Sequence, residues 1–436
     1  MTDGRPAALR GVLSVCALLL SVSVVTWAVQ GDQTGRIASF LPLFGLAFAA
    51  WLVALHASAG LGKRGLRAAL GLAVAWRLVL ALGPPLLSND VNRYVWEGRV
   101  QLHGGNPYAW SDRPNAPKWD GLRDPVYEGM NHKEYTAAYP PLWLMAAAAV
   151  VWVLDSVTAM KLFLVACEIA ALFVLARVLR QRGLPGERLL VWAWNPLALV
   201  EIAGSGHNEA FGLLFVALAL LALDSGRPLT AALASALGFQ AKFLPGLLAL
   251  SWWRRFQPWH VAAATLLAGV LVWPYWGARK TLFLSLGKYA EFWRFNESLF
   301  APLAAVLGHA GAVRAGVVLT LLLAALLGLR RVEPARSGLI VAVAALLLGP
   351  NLLPWYALWL LPFLVLVEAP AALLFTGTVT LAYLVYPAWQ SGERWYLPWS
   401  IRALEYLPCL AVPLLPSLKA GREIGQKTID PAGPRS

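Results

Sequence analysis

The stretch GVLSVCALLLSVSVVTWAVQ, residues 11–30, decides the fold class of this protein. It carries no charged side chain and is long enough to cross the roughly 30 Å hydrocarbon core of a bilayer. Comparable apolar runs recur along the 436 residues, of which 59% are hydrophobic and only 14% charged. Because a backbone in lipid must satisfy its own hydrogen bonds, these runs predict helices. The predicted fold is all-α, a polytopic transmembrane helical bundle of about 11–14 spans.

The candidate membrane segments are the apolar runs that lie between polar or basic clusters. They are 11–30, 38–58, 66–87, 139–154, 158–178, 188–204, 208–223, 229–241, 243–253, 258–276, 299–329, 337–350, 353–368, 370–388 and 401–417. The chain is interpreted as one domain, 1–418, followed by a disordered cytoplasmic tail, 419–436. The first segment resembles a signal peptide but lacks a convincing cleavage site, so it is interpreted as an uncleaved span.

The net charge of +13 comes from basic residues in short clusters between the apolar runs. Such clusters indicate how a membrane protein is oriented, so no nucleic-acid partner is expected. By the positive-inside rule their clusters face the cytoplasm. The clusters are Arg5/Arg10, Lys63/Arg64/Arg67, Arg177/Arg180/Arg182, Arg254/Arg255, Arg330/Arg331/Arg336 and Lys419/Arg422/Lys427. The segments 88–138, 204–209, 277–298, 351–355 and 389–400 are then expected on the outer side.

Counting the crossings makes two demands on this topology. The stretch 229–253 supplies two crossings only if it breaks near Lys242, and Pro245 gives the break a cause because proline removes a backbone donor. Between the first outer loop and Arg177 an odd number is needed, yet two runs are present. Either 139–154 does not cross, or the cluster from Arg177 to Arg188 lies outside.

The loop 88–138 is the chemically richest part of the chain. It holds seven of the 23 acidic residues. At its start, Asp90, Tyr94 and Glu97 share one face of a predicted helix and apolar residues share another, which suits a helix lying on the membrane surface. The turn residues of 104–108 are expected to end this helix.

Asp90 stands where a span ends, and two roles are open to it. A carboxylate held partly out of water at this boundary has a pKa suited to a general base. The alternative is that Asp90 caps the surface helix. The two roles can coexist.

A second polar cluster comprises Gly206-His207-Asn208-Glu209, with Lys242 further along the chain. The first four residues open an apolar helix, so ordinary N-capping is one interpretation. Ionisable groups against hydrocarbon are more often functional, however. Lys242 can snorkel to the interface, or a broken helix can direct it into an outer cavity where it holds a phosphate.

Outer segments that mix aromatic and charged residues are a third candidate. They are 288–296, 354–356 and 393–396, and such mixtures either bind sugars and phosphates or form interfacial belts. No P-loop, dinucleotide-binding glycine pattern, Cys-x-x-Cys or His-Glu-x-x-His occurs in the sequence. No cofactor is therefore expected, although a divalent metal is left open. The cysteines, Cys16, Cys167 and Cys409, are interpreted as small core residues.

In their order, these segments resemble the GT-C superfamily of membrane glycosyltransferases, and more closely its bacterial polyprenyl-phosphate-mannose-dependent mannosyltransferases. The resemblance covers roughly 60–400 and is carried by Asn89-Asp90-Val91-Asn92-Arg93-Tyr94, Glu97-Gly98-Arg99, Gly105-Asn106-Pro107-Tyr108, Tyr139-Pro140-Pro141-Leu142, Trp194-Asn195-Pro196-Leu197, Gly206-His207-Asn208-Glu209, Lys242 with Pro245, Phe295-Asn296 and Pro354-Trp355-Tyr356.

The resemblance implies an enzyme that moves a hexose, by preference mannose, from a polyprenyl-phosphate donor to a lipid-linked or cell-envelope glycan at the outer face. It implies Asp90 as general base of an inverting displacement. Lys242, Arg294 and Arg394 are the candidates for the donor phosphate. Candidates for the sugar or acceptor are Arg93, Tyr94, Glu97, Asn106, Tyr108, His207, Asn208, Glu209, Trp355 and Tyr356. A bacterial inner membrane is the expected location.

Two departures from the family pattern stand out. The acidic pair Asp-x-Asp is Asp90-Val91-Asn92 here, so a two-carboxylate metal site is not expected. The large loop follows the third span and not the first, so two extra spans are expected before the core. The alternative function is a transporter or flippase of lipid-linked sugars, for which Arg77 and Glu168, inside predicted spans, are the best candidates.

Overall fold

The computed structural model describes residues 7–411, and the structure is 77% helical. Within that range it has no β-sheet, only an isolated parallel bridge between Phe295 and Asn351. The helices are α1 (Ala7–Gln30), α2 (Ile37–Ala57), α3 (Lys63–Leu82), α4 (Asp90–Leu102), α5 (Pro125–Glu128), α6 (Pro141–Val153), α7 (Val157–Gln181), α8 (Leu190–Ala193), α9 (Pro196–Ala198), α10 (Glu209–Asp224), α11 (Pro228–Ala241), α12 (Leu244–Leu250), α13 (Pro258–Val272), α14 (Leu284–Phe292), α15 (Phe300–Leu329), α16 (Pro334–Leu348), α17 (Leu361–Leu366), α18 (Pro370–Thr378), α19 (Val385–Gln390) and α20 (Trp399–Ala411). The all-α prediction is confirmed.

Seven helical stretches in the described chain are long and apolar enough to cross a membrane, so the protein is a multi-pass membrane protein. They are Ala8–Gln30, Thr34–Ala57, Lys63–Leu82, Val157–Gln181, Pro258–Ala278, Phe300–Leu329 and Pro370–Gln390. The expected 11–14 spans also counted shorter and broken segments. The predicted tail, 419–436, lies outside the described residues.

Proline decides where many of the helices begin. It is the first residue of α5, α6, α9, α11, α13, α16 and α18, because its fixed φ suits the first turn and its missing N–H has no partner there anyway. The predicted break at Lys242 is confirmed: α11 ends at Ala241, Lys242 is extended with φ −158° and ψ 145°, and α12 begins at Leu244.

The basic clusters meet at one end of the bundle. Arg182 contacts Asp224 and Glu333 at 2.5 and 2.8 Å, and the backbone N–H of Gly60 donates to Glu187. The cluster from Arg177 to Arg188 therefore lies at the same end of the bundle as the basic clusters at 63–67 and 330–336.

At the other end, Arg99 of the outer loop contacts Asp155 at 2.8 Å. Asp155 follows α6, so the 13-residue helix α6 starts and ends on the side of the bundle that carries the loop 88–138. Of the two alternatives left by the crossing count, the one in which 139–154 does not cross is correct. The single long helix α7 then supplies the odd number of crossings.

The predicted surface position of α4 is wrong. From Val91 to Val100 every residue except Asn92 is buried, because α4 packs on α6 and carries a small core of its own. That core contains Trp96, Val100, Ala116, Trp119, Tyr127 and Met130. The outer loop is thus a packed cap, and α4 runs through its interior.

Inside the bundle, Arg77 of α3 and Glu168 of α7 form a bidentate ion pair. Nε and Nη2 of Arg77 donate to the two carboxylate oxygens at 2.7 Å each. Nη1 donates to the carbonyls of Ala73 and Ala193, and Trp192 donates to Glu168 at 2.8 Å. Both side chains are fully buried, so this pair satisfies itself and joins three segments of the bundle.

Candidate active site

Asp90 is the first residue of α4, and its carboxylate is almost free of partners. Nδ2 of Asn131 donates to Oδ1 of Asp90 at 3.2 Å, and within residues 7–411 Asp90 forms no ion pair. The N-cap residue is Asn89, whose side chain makes no capping hydrogen bond, and the backbone N–H of Asp90 donates to the hydroxyl of Ser88 at 3.3 Å. The capping interpretation of Asp90 is therefore wrong. Its half-buried carboxylate keeps its acceptor capacity for something else.

Tyr94 lies one turn after Asp90, on the same face of α4. Its hydroxyl lies 3.3 Å from the hydroxyl of Tyr139 and 3.5 Å from Oδ1 of Asn208. The rings of Tyr94 and Tyr139 meet edge to face, with centroids 5.3 Å apart. Through Tyr94, the face of α4 that carries Asp90 reaches the second predicted cluster.

Lys242 is the centre of that second cluster. Its Nζ lies 2.7 Å from Oε1 of Glu209 and 2.8 Å from Oδ1 of Asn208, and 4.9 Å from the centroid of the Tyr139 ring. Asn208 is the N-cap residue of α10 by position but makes no capping hydrogen bond, so the N-capping interpretation is wrong. An ammonium has three N–H donors, and two of them find oxygen acceptors in the described part of the chain.

His207 and Glu201 form a buried pair beside Lys242. Nε2 of His207 lies 3.4 Å from Oε2 of Glu201, and the hydroxyl of Tyr383 donates to Oε1 of Glu201 at 2.5 Å. The imidazole stacks on Trp355 with ring centroids 4.0 Å apart and an interplanar angle of 19°. Glu201 belongs to a π-helical turn, Leu199–Gly204, a distortion that is frequent at functional sites.

A group of tyrosines closes the site from the late part of the chain. The hydroxyls of Tyr289 and Tyr356 are 2.7 Å apart, and the side chain of Asn351 donates to Tyr289. Trp293 stacks on Tyr289, with centroids 5.7 Å apart, and meets His132 of the outer loop at 5.1 Å. The outer segments that were predicted separately therefore come together.

Arg93 and Glu97, predicted sugar or acceptor ligands, are largely occupied by the cap itself. Arg93 donates to the carbonyls of Asn131 and His132 at 2.8 and 2.5 Å and lies 3.5 Å from Glu97. Glu97 is buried, and its oxygens have no hydrogen-bond partner among residues 7–411. Burial raises the pKa of Glu97 from 4.5 to about 7, against the opposing effect of the Arg93 charge.

Asn106 and Tyr108 fasten the loop to the bundle. Oδ1 of Asn106 accepts from the backbone N–H of Tyr108 at 3.1 Å, which is an Asx turn. Nδ2 of Asn106 donates to the carbonyl of Tyr275, and the hydroxyl of Tyr108 donates to the carbonyl of Tyr139 at 2.5 Å. Both side chains thus hold Tyr139 and its neighbours in place.

The two predicted phosphate-binding arginines do not join Lys242. Arg294 is exposed and pairs with Glu297, which also contacts the buried Arg402 at 3.3 Å. Arg394 is exposed in the segment between α19 and α20 and forms no hydrogen bond or ion pair within residues 7–411. Lys242 is the predicted cation that the structure brings to the face of Asp90.

Two cavities flank the site and share Phe283. One, of about 110 Å³, is mostly apolar and aromatic; its lining includes Tyr139, Phe239, Phe243 and Val272. The other, of about 420 Å³, is an open basic surface lined by Arg279, Lys280 and Lys288 together with Glu291. The cavity beside Tyr139 is therefore apolar and its neighbour beyond Phe283 is basic.

Sequence reasoning missed several residues of the site. Tyr139 and Tyr289 lie in stretches that the sequence singles out, 139–142 and 288–296, but no role is predicted for either. Glu201 stands just before the predicted cluster at 206–209, whereas Asn131 and Tyr383 carry no local signal that separates them from other polar residues. Within the described range, no group of three or more His, Cys, Asp or Glu side chains is arranged to hold a metal ion.

An unpaired carboxylate on α4, one helical turn from a tyrosine that reaches the Lys242 cluster, fits a membrane glycosyltransferase of the GT-C type. The MptA_B family, described as alpha-(1->6)-mannopyranosyltransferase, N-terminal domain, matches residues 7–255. The chain belongs to this family and is a membrane mannosyltransferase. The match begins at residue 7, so the first two helices are part of the family's own domain and are not additions to it. No curated protein and no solved structure gave a match.

Proposed function

We propose that the protein transfers mannose from a polyprenyl-phosphate donor to a lipid-linked or cell-envelope glycan at the outer face of a bacterial inner membrane. The linkage we propose is α-(1→6), after the family's description, formed by inversion from a β-configured donor. One observation carries this proposal: the unpaired carboxylate of Asp90 lies one helical turn from Tyr94, which contacts the Lys242 cluster.

Asp90 acts as general base in the proposed reaction. Its carboxylate takes the proton of the acceptor hydroxyl, whose oxygen then forms a bond to the anomeric carbon of mannose. The bond from that carbon to the phosphate oxygen breaks, and polyprenyl phosphate leaves with the electron pair. The product carries the inverted configuration.

Lys242 stabilises the phosphate as it departs. Its ammonium is held by Glu209 and Asn208 and keeps one N–H without an oxygen acceptor among the described residues. A fixed cation in a site that excludes water stabilises developing negative charge more than it would in bulk solvent. The activated donor supplies the leaving group, so the reaction needs no nucleotide-binding fold.

His207, Trp355 and Tyr356 are the proposed contacts of the sugar. Trp355 is partly exposed and stacks on the buried imidazole of His207, and the hydroxyl-bearing Tyr356 follows it in the chain. Asn208 and Glu209 hold Lys242 in this scheme and reach the sugar with the oxygen and nitrogen atoms that remain free.

The cavities beside the site support a lipid donor. The apolar one, next to Tyr139 and Phe243, suits an isoprenoid chain, and the basic surface at Arg279, Lys280 and Lys288 suits anionic groups at the membrane boundary. The flippase alternative loses its best residues, because Arg77 and Glu168 satisfy one another completely.

The test uses the protein in proteoliposomes with extracted lipid acceptors. Labelled mannose is supplied in one reaction as polyprenyl-phosphate mannose and in a parallel reaction as GDP-mannose. Labelled product is expected only in the reaction that contains the lipid-linked donor. The Asp90→Asn variant defines the background, and Asp120→Asn, at an exposed acid paired with Arg123, is the matched control. Transfer from GDP-mannose, or movement of donor across the bilayer without transfer, would contradict the proposal. Parallel reactions with EDTA and with Mg²⁺ decide whether a divalent cation is required.

A further inference from the structure

Lys161 is a buried lysine in the second turn of α7 that the mechanism above does not use. It lies in α7 and its side chain is fully buried. Its Nζ donates to the carbonyls of Leu80, Gly83 and Pro84 at 2.9, 2.8 and 3.3 Å. Within residues 7–411 it has no carboxylate partner. All three N–H donors of the ammonium are therefore satisfied by neutral carbonyls.

These carbonyls belong to the end of α3 and the residues that follow it. The last carbonyls of a helix have no partner within the helix, and the negative end of the helix dipole attracts a cation. In a bundle that excludes water, such carbonyls are costly to leave unpaired. Lys161 thus fixes how the chain leaves α3.

The segment that leaves α3 leads directly to Asp90. Beyond Gly83 and Pro84, the carbonyl of Leu86 accepts from the backbone N–H of Gln33 at 2.7 Å. The carbonyl of Leu87 accepts from the hydroxyl of Tyr386 at 2.6 Å. Each of these contacts comes from a different part of the chain. Lys161 supplies the first of them and so sets the start of a connection, 83–89, whose far end is Asp90.

The stem of Lys161 also touches the other half of the site. A methyl group built on Gly206 would lie 3.1 Å from Cγ of Lys161 and 3.0 Å from Cγ2 of Val91. Gly206 has a φ of +81° and begins the turn to His207 and Asn208. One side chain therefore contacts both the approach to Asp90 and the turn that carries the partners of Lys242.

We propose that Lys161 is a positioning residue, which sets the distance between Asp90 and the Lys242 cluster through its ammonium and its stem. The proposal rests on the proposed function, because it assigns Lys161 to the same reaction. A reacting geometry that is displaced by about 1 Å costs up to 10²-fold in rate. Loss of Lys161 should therefore lower kcat more than it weakens donor binding.

The experiment compares Lys161→Met, Lys161→Arg and Glu168→Gln in steady-state mannosyl transfer, per folded molecule and below each thermal midpoint. Glu168 is the matched control, since it lies two turns further along α7 and is equally buried. We expect kcat of Lys161→Met to fall at least about tenfold with donor KM within about twofold. Lys161→Arg, which keeps the charge and the donors, should recover most of that loss. Glu168→Gln should lose thermal stability and keep kcat.

An unchanged kcat in Lys161→Met, or an equal fall of kcat in Glu168→Gln, would overturn the proposal. If Lys161→Met does not fold, Lys161→Gln is measured in its place. This variant keeps two N–H donors, so we expect the same fall in kcat with a smaller magnitude. Hydrogen exchange separates this proposal from the function itself. Amides of 83–92 should exchange faster in the Lys161 variant, while those of α13 stay unchanged. Should the wild type transfer no mannose, the proposed function fails, and exchange alone decides: faster exchange at 83–92 supports positioning, and unchanged exchange rejects it.

Discussion

Two buried ion pairs in this bundle, Arg77–Glu168 and Lys242–Glu209, have the same charges and different surroundings. In the first, both carboxylate oxygens and the guanidinium are saturated by protein groups, and both side chains are 0% exposed. In the second, the lysine side chain is 17% exposed and Oε2 of Glu209 has no hydrogen-bond partner among the described residues. The second pair is also linked to the unpaired Asp90, because Tyr94 lies one helical turn from Asp90 and contacts Asn208.

This difference separates polar groups that hold the fold from polar groups that are available to a ligand. A buried charge that leaves bonding capacity unused is costly, because the surroundings do not replace its water. Such a cost is understandable where a substrate supplies the missing partners. The saturated pair has nothing left to bind, so it stabilises the bundle and takes no part in transfer.

The largest effect should come from breaking the saturated pair. Glu168→Gln leaves Arg77 buried without a counter-charge, which typically costs about 3–5 kcal/mol of stability. We expect a strongly lowered thermal midpoint and low yield, with unchanged transfer by the molecules that remain folded. The double substitution Arg77→Met/Glu168→Leu should recover most of the stability. A double variant no more stable than Glu168→Gln would show that the pair is not the cause.

Breaking the unsaturated pair should act on transfer and not on folding. Lys242→Met removes the cation that faces the departing phosphate, so transfer should fall about 10²–10³-fold. Lys242→Arg should retain part of the activity, because it keeps the charge in a different geometry. The measurement is the initial rate of mannosyl transfer with thermal unfolding as the control. Equal losses of stability and rate in Lys242→Met would make this pair structural as well.

Glu97 offers a prediction on pH. Its pKa is raised from 4.5 to about 7 by burial, so the folded state binds the proton more tightly than the unfolded state does. The neutral carboxyl therefore contributes stability below about pH 4.5, and that contribution is lost as the pH rises through about 7. Thermal midpoints of the wild type and of Glu97→Gln should diverge from pH 5 to pH 8 in favour of the variant. A constant difference over that range would show that Glu97 does not titrate there.

The smallest effects are expected at the two outer arginines. Arg294→Gln removes an exposed arginine from Glu297, which is buried and keeps its contact with Arg402, and ion pairs that are open to solvent contribute about 0–1 kcal/mol. Arg394→Gln removes an exposed side chain that forms no hydrogen bond or ion pair in the described part of the chain. Transfer should change less than about fivefold in either variant. A hundredfold loss in one of them would restore that arginine as a phosphate ligand beside Lys242.

Local patterns in the sequence were sufficient for the helices and for the break at Lys242. Apolar runs, prolines and basic clusters act over a few turns, so their effects can be read along the chain. The same patterns misplaced α4, because the outer loop supplies its own core around Trp96 and Trp119. The periodicity of a sequence predicts that a helix has an apolar face. It does not predict which residues pack against the polar face.

The site was predictable in part. Asp90, Glu209 and Lys242 are predicted because charged groups against hydrocarbon are rare, and Asn208 because it lies in the same cluster. The structure joins Lys242 to Asn208 and Glu209 and places Asp90 one helical turn from Tyr94, which reaches Asn208. Contacts such as Glu201 with Tyr383, which are 182 residues apart, leave no trace in spacing. The contacts of Lys161 are equally invisible in the sequence. Its acceptors are backbone carbonyls, which every residue type carries.

The most direct test of the account compares donor binding and single-turnover transfer in the wild type and Asp90→Asn. General-base catalysis contributes about 10²–10⁴-fold, and Asp90 contacts the acceptor but not the donor in this scheme. The account predicts that Asp90→Asn binds polyprenyl-phosphate mannose within about threefold of the wild type while its transfer rate falls by at least about 10². A variant that transfers mannose at the wild-type rate, or one that loses donor binding in the same proportion as transfer, would contradict it.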